Sequence, residues 1–444
     1  MGKLGFFSDH LTGHLNPMLA LGSTLRSRGH HVIFFTIADT KEAVMTAGLD
    51  FCQIGSEDFP PGSVREINQR MREWKGVAAQ REFIKDYQRQ SRMILRDGPR
   101  LVRESKLDGL VIDQNQLGAG TVAQHVGVPF IHIVTGCPPN RNEAVPPFLS
   151  SRPYRSGFVR RIQNRLEYAL INRIFRPALD PINVQRGLWK LPPFACQDDT
   201  FSKLAQITQL PEVLEYPERI SLPYFHYAGP FRNRSSRRPT DFPWEQLSDR
   251  PLIYASLGTI MHHLPDVSKL FPMIVEACSA LDVQLVLSLG GATDSGGVSL
   301  TNGRDPKGAP IVVSYAPQLD LLPKSALMIT HAGLNSTLEA LVHGVPLVAL
   351  PIGVDQNGVA ARLQWSNAGI VVPAYKRSAA EIRKAVRTVF EDSHYKMAAQ
   401  RLQTEINKIQ GLERAADLVE KIFNIAPNHK QRSRQPTVCR SQRL

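Results

Sequence analysis

The stretch Thr330–Pro351, THAGLNSTLEALVHGVPLVALP, gathers a histidine, a glycine, an asparagine and a serine at the start of a helical run. ALMIT before it and PLVALP after it read as strands. HAGLNS is then a loop at the carboxyl end of a strand, and TLEALVHG is the helix that follows, with Asn335 or Ser336 as its cap. A helix start offers unpaired N–H groups and a partial positive charge, so it favours an anion. Gly333 lets the backbone come close, and His331 can donate to a phosphate oxygen. A second small loop, Ser256–Thr259 (SLGT), also follows a strand. Taken alone, HAGLNS reads better as a capped helix beside a core histidine. Neither GxxxxGK followed by Ser or Thr, nor GxGxxG after the first strand, occurs, which argues against a P-loop or a Rossmann dinucleotide site.

The elements that must position these loops alternate. In the first half KLGFFS, HVIFFTI, LDGLVID and PFIHIVT read as strands. NPMLALGSTLRSRGH reads as a helix with Asn16 as N-cap and Pro17 just inside it, and GAGTVAQHVG as another. In the second half LIYASLG, VQLVLSLG, PIVVSYAP, ALMITHAG and PLVALPIG are strands, DVSKLFPMIVEACSAL is a helix, and the final helices run from about Ser378 to Ile425. Such repeats predict an α/β chain with two doubly wound parallel sheets. We divide it into residues 1–229, a Pro- and Arg-rich linker over 230–250, residues 251–425 and a basic, disordered tail over 426–444. The last helix is free to pack back on the first domain. Ligands of such folds sit at the carboxyl ends of the strands, here in the cleft between domains.

Composition narrows the class. The 444 residues are 42% hydrophobic and 21% charged, enough apolar material for two cores. Cys52, Cys137, Cys196, Cys278 and Cys439 form no CxxC pair, so reduced thiols are expected and a structural zinc site is not. The start, MGKLGFFSDH, lacks a signal peptide's apolar stretch, and no run is long enough to span a bilayer, so a cytoplasmic protein is expected. The net charge of +13 has basic contributions from the tail, NRSSRR near residue 235, and Arg152–Arg176. No RNP, zinc-finger or basic-zipper signature accompanies it, so nucleic acid is not an expected partner.

The wider constellation is more specific than either loop. YAPQLDLL precedes THAGLNSTLEAL and VDQNGVAARL follows it. Over Tyr315–Leu363 the chain resembles the nucleotide-sugar signature of the family 1 UDP-glycosyltransferases, and GHLNP near the start and HYAGPF before the linker fit the same family. HAGLN with DQNGVAARL is most similar to the zeaxanthin glucosyltransferase branch, with VIDQN and VPPF pointing the same way. Macrolide glycosyltransferases are near relatives.

The resemblance implies the GT-B fold of two facing Rossmann-like domains. It also implies a donor site in which Tyr315 stacks on uracil in place of the Trp of plant members. Gln318 lies toward the base and ribose, and His331, Gly333, Asn335 and Ser336 meet the diphosphate. Glu339 takes the ribose hydroxyls, Asp355 and Gln356 grip the sugar, and Ser256 and Thr259 approach the phosphates. It further implies His14 as general base, with Asp113 on its far nitrogen and His10 as the rival. No DxD-type pair suited to a metal is found, so no metal or other cofactor is expected.

The implied reaction is inverting transfer of glucose from UDP-glucose to a hydroxyl of a lipophilic acceptor, a hydroxylated carotenoid or terpenoid. A macrolide, flavonoid or other aglycone is the alternative. A non-catalytic nucleotide-sugar-binding partner, or an epimerase sharing the fold, fits less well. The acceptor site is expected in NEAVPPFL and FVRRIQNRLEYALINRIF of the first domain. In the latter Phe158, Ile162, Leu166 and Leu170 share one face amid seven arginines between Arg152 and Arg176. We expect an amphipathic helix packed on the first domain; the other reading is peripheral contact with an anionic membrane.

Overall fold

The structure, a computed structural model, describes residues 1–71, 76–219, 222–232, 240–259, 267–291, 295, 297–301, 308–427 and 436–439. NRSSRR and the centre of the expected linker lie outside the described residues.

The first half runs β1 (Lys3–Phe7), α1 (Thr12–Ser27), β2 (His31–Thr36), α2 (Lys41–Thr46), β3 (Asp50–Gln53), α3 (Ser63–Arg70), α4 (Gly76–Ser105) and β4 (Gly109–Asp113). It continues through α5 (Ala119–Val126), β5 (Phe130–Val134), α6 (Phe158–Phe175), α7 (Asp180–Leu188), β6 (Gln206–Thr208) and β7 (Phe225–Tyr227). The second half runs β8 (Leu252–Ser256), α8 (Leu270–Ser279), β9 (Gln284–Ser288), β10 (Ile311–Val313), α9 (Gln318–Leu321), β11 (Ser325–Thr330), α10 (Leu334–Val342) and β12 (Leu347–Ala349). Then come α11 (Gln356–Trp365), β13 (Gly369–Val371), α12 (Ala379–Glu391), α13 (Ser393–Asn407), α14 (Gly411–Phe423) and β14 (Val438–Cys439).

The strands form two sheets, β14-β3-β2-β1-β4-β5-β6-β7 and β10-β9-β8-β11-β12-β13, and all their pairings are parallel. Helices cover both faces, which is why strands such as LIYAS are buried at every residue rather than alternately. On one face of the first sheet α1 packs with Ala415, Ala416, Val419 and Phe423 of α14; on the other lie Ile94, Val102 and Val122 of α4 and α5. The second sheet is flanked by α10, α11 and α13 on one side and α8 and α12 on the other.

Three local expectations change. Helix α1 starts at Thr12, so Asn16 is not its cap and Pro17 stands inside it. The described part of the tail is not loose: Val438 and Cys439 pair with Phe51 and Cys52 as an edge strand, and Thr437 donates to Asp50 Oδ1 at 2.6 Å. Helix α6 does not bury its apolar face. Phe158, Val159, Ile162, Leu166 and Leu170 are exposed, while Asn164 and Tyr168 are buried. Each such apolar side chain left in water forgoes about 1.5–3 kcal/mol of burial free energy.

Candidate active site

Both sheets reverse their winding order at the strand that starts them. In the first sheet β1 leads outward to β2, and β4 then pairs on its other side; in the second, β8 leads to β9 and β11 pairs on its other side. A crevice opens at the carboxyl ends of the strands at each reversal, because successive connections depart in opposite directions. The first crevice holds the loop into α1 and the end of β4, hence His14 and Asp113. The second holds Ser256–Thr259 and His331–Gly333. The candidate residues lie where the winding opens the sheets.

His14 lies in the first turn of α1, where Asp9 Oδ1 accepts from Leu11 N–H at 3.2 Å just before the helix. Its Nδ1 is 3.0 and 3.1 Å from the two oxygens of Asp113, which is fully buried. Thr135 Oγ1, at the end of β5, donates to Asp113 Oδ2 at 2.8 Å and lies 2.7 Å from His14 Nδ1. Asp113 Oδ1 also accepts from the N–H of Asn115 at 2.9 Å. Asn115 Nδ2 donates to Asp9 Oδ2 at 3.0 Å and faces His14 Nε2 at 3.2 Å. With Nδ1–H on Asp113, Nε2 keeps its lone pair and accepts that amide proton, the tautomer a base requires. Charge pulls the other way. Burial pushes the His14 pKa down, but Asp113, Asp9 and Asp355 overcome it and push it up to about 9. The rival, His10, turns to Asp9 Oδ1 at 3.1 Å.

At the second crevice His331 is wedged between two glycines. A Cβ on Gly258 would lie 2.7 Å from His331 Nε2, and one on Gly333 2.5 Å from it. Gly258 has φ +81°, which only glycine adopts freely. Burial pushes the His331 pKa down to about 4, so it is a neutral imidazole, and among the described residues its buried Nδ1 has no hydrogen-bond partner of ordinary geometry. Gly333, not Asn335 or Ser336, is the N-cap of α10, and no side chain caps it. Thr337 N–H is the first bound within the helix, to Gly333 O at 3.0 Å. The preceding N–H groups of Leu334, Asn335 and Ser336 thus form an uncapped anion seat. Two non-glycine residues flank the region in left-handed backbone, Ala332 (φ +62°) and Val354 (φ +55°). Such strain costs about 1–3 kcal/mol per residue and concentrates at functional sites.

Tyr315 is 52% exposed and its hydroxyl abuts Gly291, where a Cβ would collide with it. Its ring is a free platform for stacking. Gln318 starts α9; its Nε2 donates to Glu339 Oε2 at 2.5 Å, and its Oε1 accepts from Tyr254 at 3.1 Å. Ser256 Oγ accepts weakly from Gly258 N–H at 3.4 Å, and Thr259 follows at the loop's end.

Three predicted donor residues also make contacts within the protein. Asn335 reaches across the cleft: its Nδ2 donates to Gly13 O at 2.7 Å and its Oδ1 accepts from Gln209 at 2.6 Å. The carbonyl of Gly13 is available because Pro17, four residues on, has no N–H to bind it. Asp355 Oδ2 accepts from the N–H of Cys137 at 2.9 Å, so it too touches the first domain. Gln356 Oε1 accepts from the N–H groups of Ile352 and Gly353 at 2.9 and 3.2 Å, leaving its amide nitrogen for a ligand.

Sequence reading missed Thr135, Asn115, Gln209 and the backbone of Cys137. Thr135 and Gln209 follow β5 and β6, so the carboxyl-end rule already pointed to them. A buried pair, Arg362 with Glu215 Oε1 at 2.7 Å, also joins the halves; it left no local signal.

Comparison with known proteins shows the family and the fold. The profile of the family described as UDP-glucoronosyl and UDP-glucosyl transferase matches residues 63–424, and that of the glycosyltransferase family 28 N-terminal domain matches residues 12–93. The zeaxanthin glucosyltransferase of Pantoea ananas is 29% identical over 415 residues, covering 92% of this chain and 93% of that protein. The 4'-demethylrebeccamycin synthase of Lentzea aerocolonigenes is 26% identical, covering 92% and 96%. Among solved structures the calicheamicin glycosyltransferase CalG4 superposes with a TM-score of 0.70 at 22% identity, over 96% of this chain and 98% of its own. That likeness shows the GT-B fold. With the family profile spanning most of the chain, the protein belongs to the UDP-glucuronosyl and UDP-glucosyl transferase family and is a glycosyltransferase.

Proposed function

We propose that this enzyme transfers glucose from UDP-glucose to a hydroxyl of a small lipophilic acceptor with inversion, using His14 as base and Asp113 as its partner. The observation that carries the reading is the meeting of two sites in one cleft. The His14–Asp113 pair and the Gly258–His331–Gly333 cradle belong to different sheets, yet Asn335 and Asp355 join them by hydrogen bonds.

In this reading Tyr315 stacks on the uracil and Glu339, held by Gln318, accepts the ribose hydroxyls. The diphosphate sits on the start of α10, and Asp355 with the amide of Gln356 holds the sugar. His14 Nε2 removes the acceptor's proton, displacing Asn115 from its lone pair. The acceptor oxygen attacks the anomeric carbon as the bond to the diphosphate breaks on the opposite face. Asp113 stabilises the imidazolium. Negative charge grows on UDP, where His331 and the three free N–H groups meet it. These donors supply the stabilisation, so the mechanism calls for no metal. Similarity to the zeaxanthin glucosyltransferase of Pantoea ananas favours a hydroxylated carotenoid over a macrolide or flavonoid. The contact of His14 with Asp113 favours an enzyme over a non-catalytic binding partner.

The test is UDP release from UDP-glucose with zeaxanthin and a panel of aglycones, in EDTA. His14→Ala should bind UDP as the parent does, by calorimetry, and lose transfer by about 100-fold or more. Unchanged transfer would remove His14 from this role, and a requirement for added divalent metal would overturn the metal-free mechanism.

A further inference from the structure

Helix α6 carries two unlike faces. Inward, Asn164 and Tyr168 are buried: Asn164 Nδ2 donates to Glu143 O at 2.9 Å and the Tyr168 hydroxyl reaches Asn140 O at 3.4 Å. Outward, Phe158, Val159, Ile162, Leu166 and Leu170 are 78%, 65%, 44%, 65% and 58% exposed. At about 100° per residue these five fall within an arc of about 120°, roughly opposite the buried pair. Among the described residues no other segment covers this stripe. Arg160, Arg161, Arg165 and Arg173 share the helix, with Arg155 before it and Arg176 after it. The acids nearby are partly engaged. Glu167 pairs with Arg152 at 2.7 Å, Glu218 with Arg161 at 3.4 Å, and Glu143 lies 2.5 Å from Arg141 and 3.9 Å from Arg165.

We propose that α6 docks this protein on an anionic lipid surface. The apolar stripe enters the boundary between headgroups and acyl chains, and the flanking arginines meet lipid phosphates. An apolar stripe alone would equally suit a second copy of the chain. The charge decides between them: the helix carries four arginines and one acid, Glu167, so apposing two copies would crowd an excess of positive charge, whereas an anionic bilayer complements it. No helix among the described residues is long and apolar enough to cross a membrane, so the association is peripheral.

The position of α6 adds a consequence. Its buried face rests on the segment from Asn140 to Glu143, in the same loop as Cys137, which meets Asp355, and Leu149, whose carbonyl accepts from Asn357 at 3.3 Å. Docking through α6 therefore presents this inter-domain loop near the lipid. The proposal stands whatever the acceptor is.

The full chain should be sedimented at low salt with vesicles of phosphatidylcholine alone and with about one-third phosphatidylglycerol. Binding to the anionic vesicles, lost in high salt, is expected. The pair Ile162→Gln and Leu166→Gln should weaken it about tenfold or more, and Arg161→Gln with Arg165→Gln should reduce its salt dependence. These side chains are exposed, so unchanged thermal melting and unchanged UDP binding should accompany the loss, which separates this proposal from the donor-site reading. Absence of binding to anionic vesicles by the folded protein overturns it. So does a concentration-dependent dimer abolished by the Ile162 and Leu166 changes, which would assign the stripe to a second copy.

Discussion

Replacing Asp113 with asparagine tests the proposed base by the shape of a pH profile as well as by lost rate. The amide keeps the carboxylate's size but presents an N–H group where His14 Nδ1 now finds an acceptor 3.0 Å away. The ring then favours the tautomer with the proton on Nε2, and the plateau rate should fall by about 100- to 10,000-fold. The titration moves as well. Burial pushes His14 down, and the foremost opposing influence holding it near 9 is Asp113. With a pKa of about 9, only about 3% of His14 is unprotonated near pH 7.5, whereas a pKa at or below the ordinary value of about 6.5 leaves about 90% or more unprotonated. The variant thus recovers about 30-fold in competent enzyme near pH 7.5 and almost nothing above pH 9.5. The ratio of parent to variant kcat/KM, from UDP release between about pH 7.5 and 10, should therefore widen by about 30-fold as pH rises. A parent profile flat across that range, or a ratio independent of pH, would refute titration of His14 as the controlling event.

Three further outcomes follow from the same geometry. Asn115→Ala removes the amide that favours an unprotonated Nε2, so the ascending limb of kcat/KM, where His14 loses its proton, should move to higher pH; a shift downward would contradict the assigned tautomer. Gly333→Ala puts a Cβ 2.5 Å from His331 Nε2, so UDP binding measured by calorimetry should weaken about tenfold or more, or about 1.4 kcal/mol, and undiminished affinity would remove this cradle from the donor site. His331 and His132 are buried with pKa values pushed down to about 4 and about 3. A depressed histidine contributes stability that is fully present above the unfolded value of about 6.5 and is lost as pH falls through the folded value, about 3 kcal/mol for His331 alone. Urea unfolding of His331→Asn should accordingly depend less on pH between about 6.5 and 4 than the parent, and equal slopes would place the acid sensitivity elsewhere.

Among the contacts that join the two domains, two have a clear local cause. Pro17 frees the carbonyl of Gly13 for Asn335, and Gly136 leaves room for Asp355, which a Cβ there would meet at 2.6 Å. At the far end Arg28, which follows α1, pairs with Glu413, with Asp417 at 2.6 Å and with Glu420 at 2.9 Å on α14. The last helix among the described residues is thereby fastened to the end of the first, on the side of the first sheet.

The amino-acid sequence by itself determined the strands that are buried on both faces, the alternation that winds them, and the chemistry at their carboxyl ends. The positions of Gly333 and His331 at a strand's carboxyl end were legible because their neighbours in the chain form that strand, whereas His14 and Asp113 were singled out by the family resemblance. Two strands of three residues, Gln206–Thr208 and Gly369–Val371, were not, since so short a run has no period to read and neither lies in a longer apolar run such as the ones that marked Ile311–Val313 and Leu347–Ala349. Only the tertiary structure decided which polar groups remain free. Asn335 looked like a helix cap and proved to be a tie to Gly13, 322 residues away, and Gln356 turned half its amide into its own loop. The tail's last described residues joined β3 as an edge strand, through partners nearly four hundred residues distant. Helix α6 makes the same point about surfaces. Its apolar spacing and its arginines were visible in the chain, but a helical period specifies a face, not what the face meets. Burial of that face depends on what the rest of the fold sets against it, and here the polar Asn164 and Tyr168 turn inward while the apolar stripe is left to solvent.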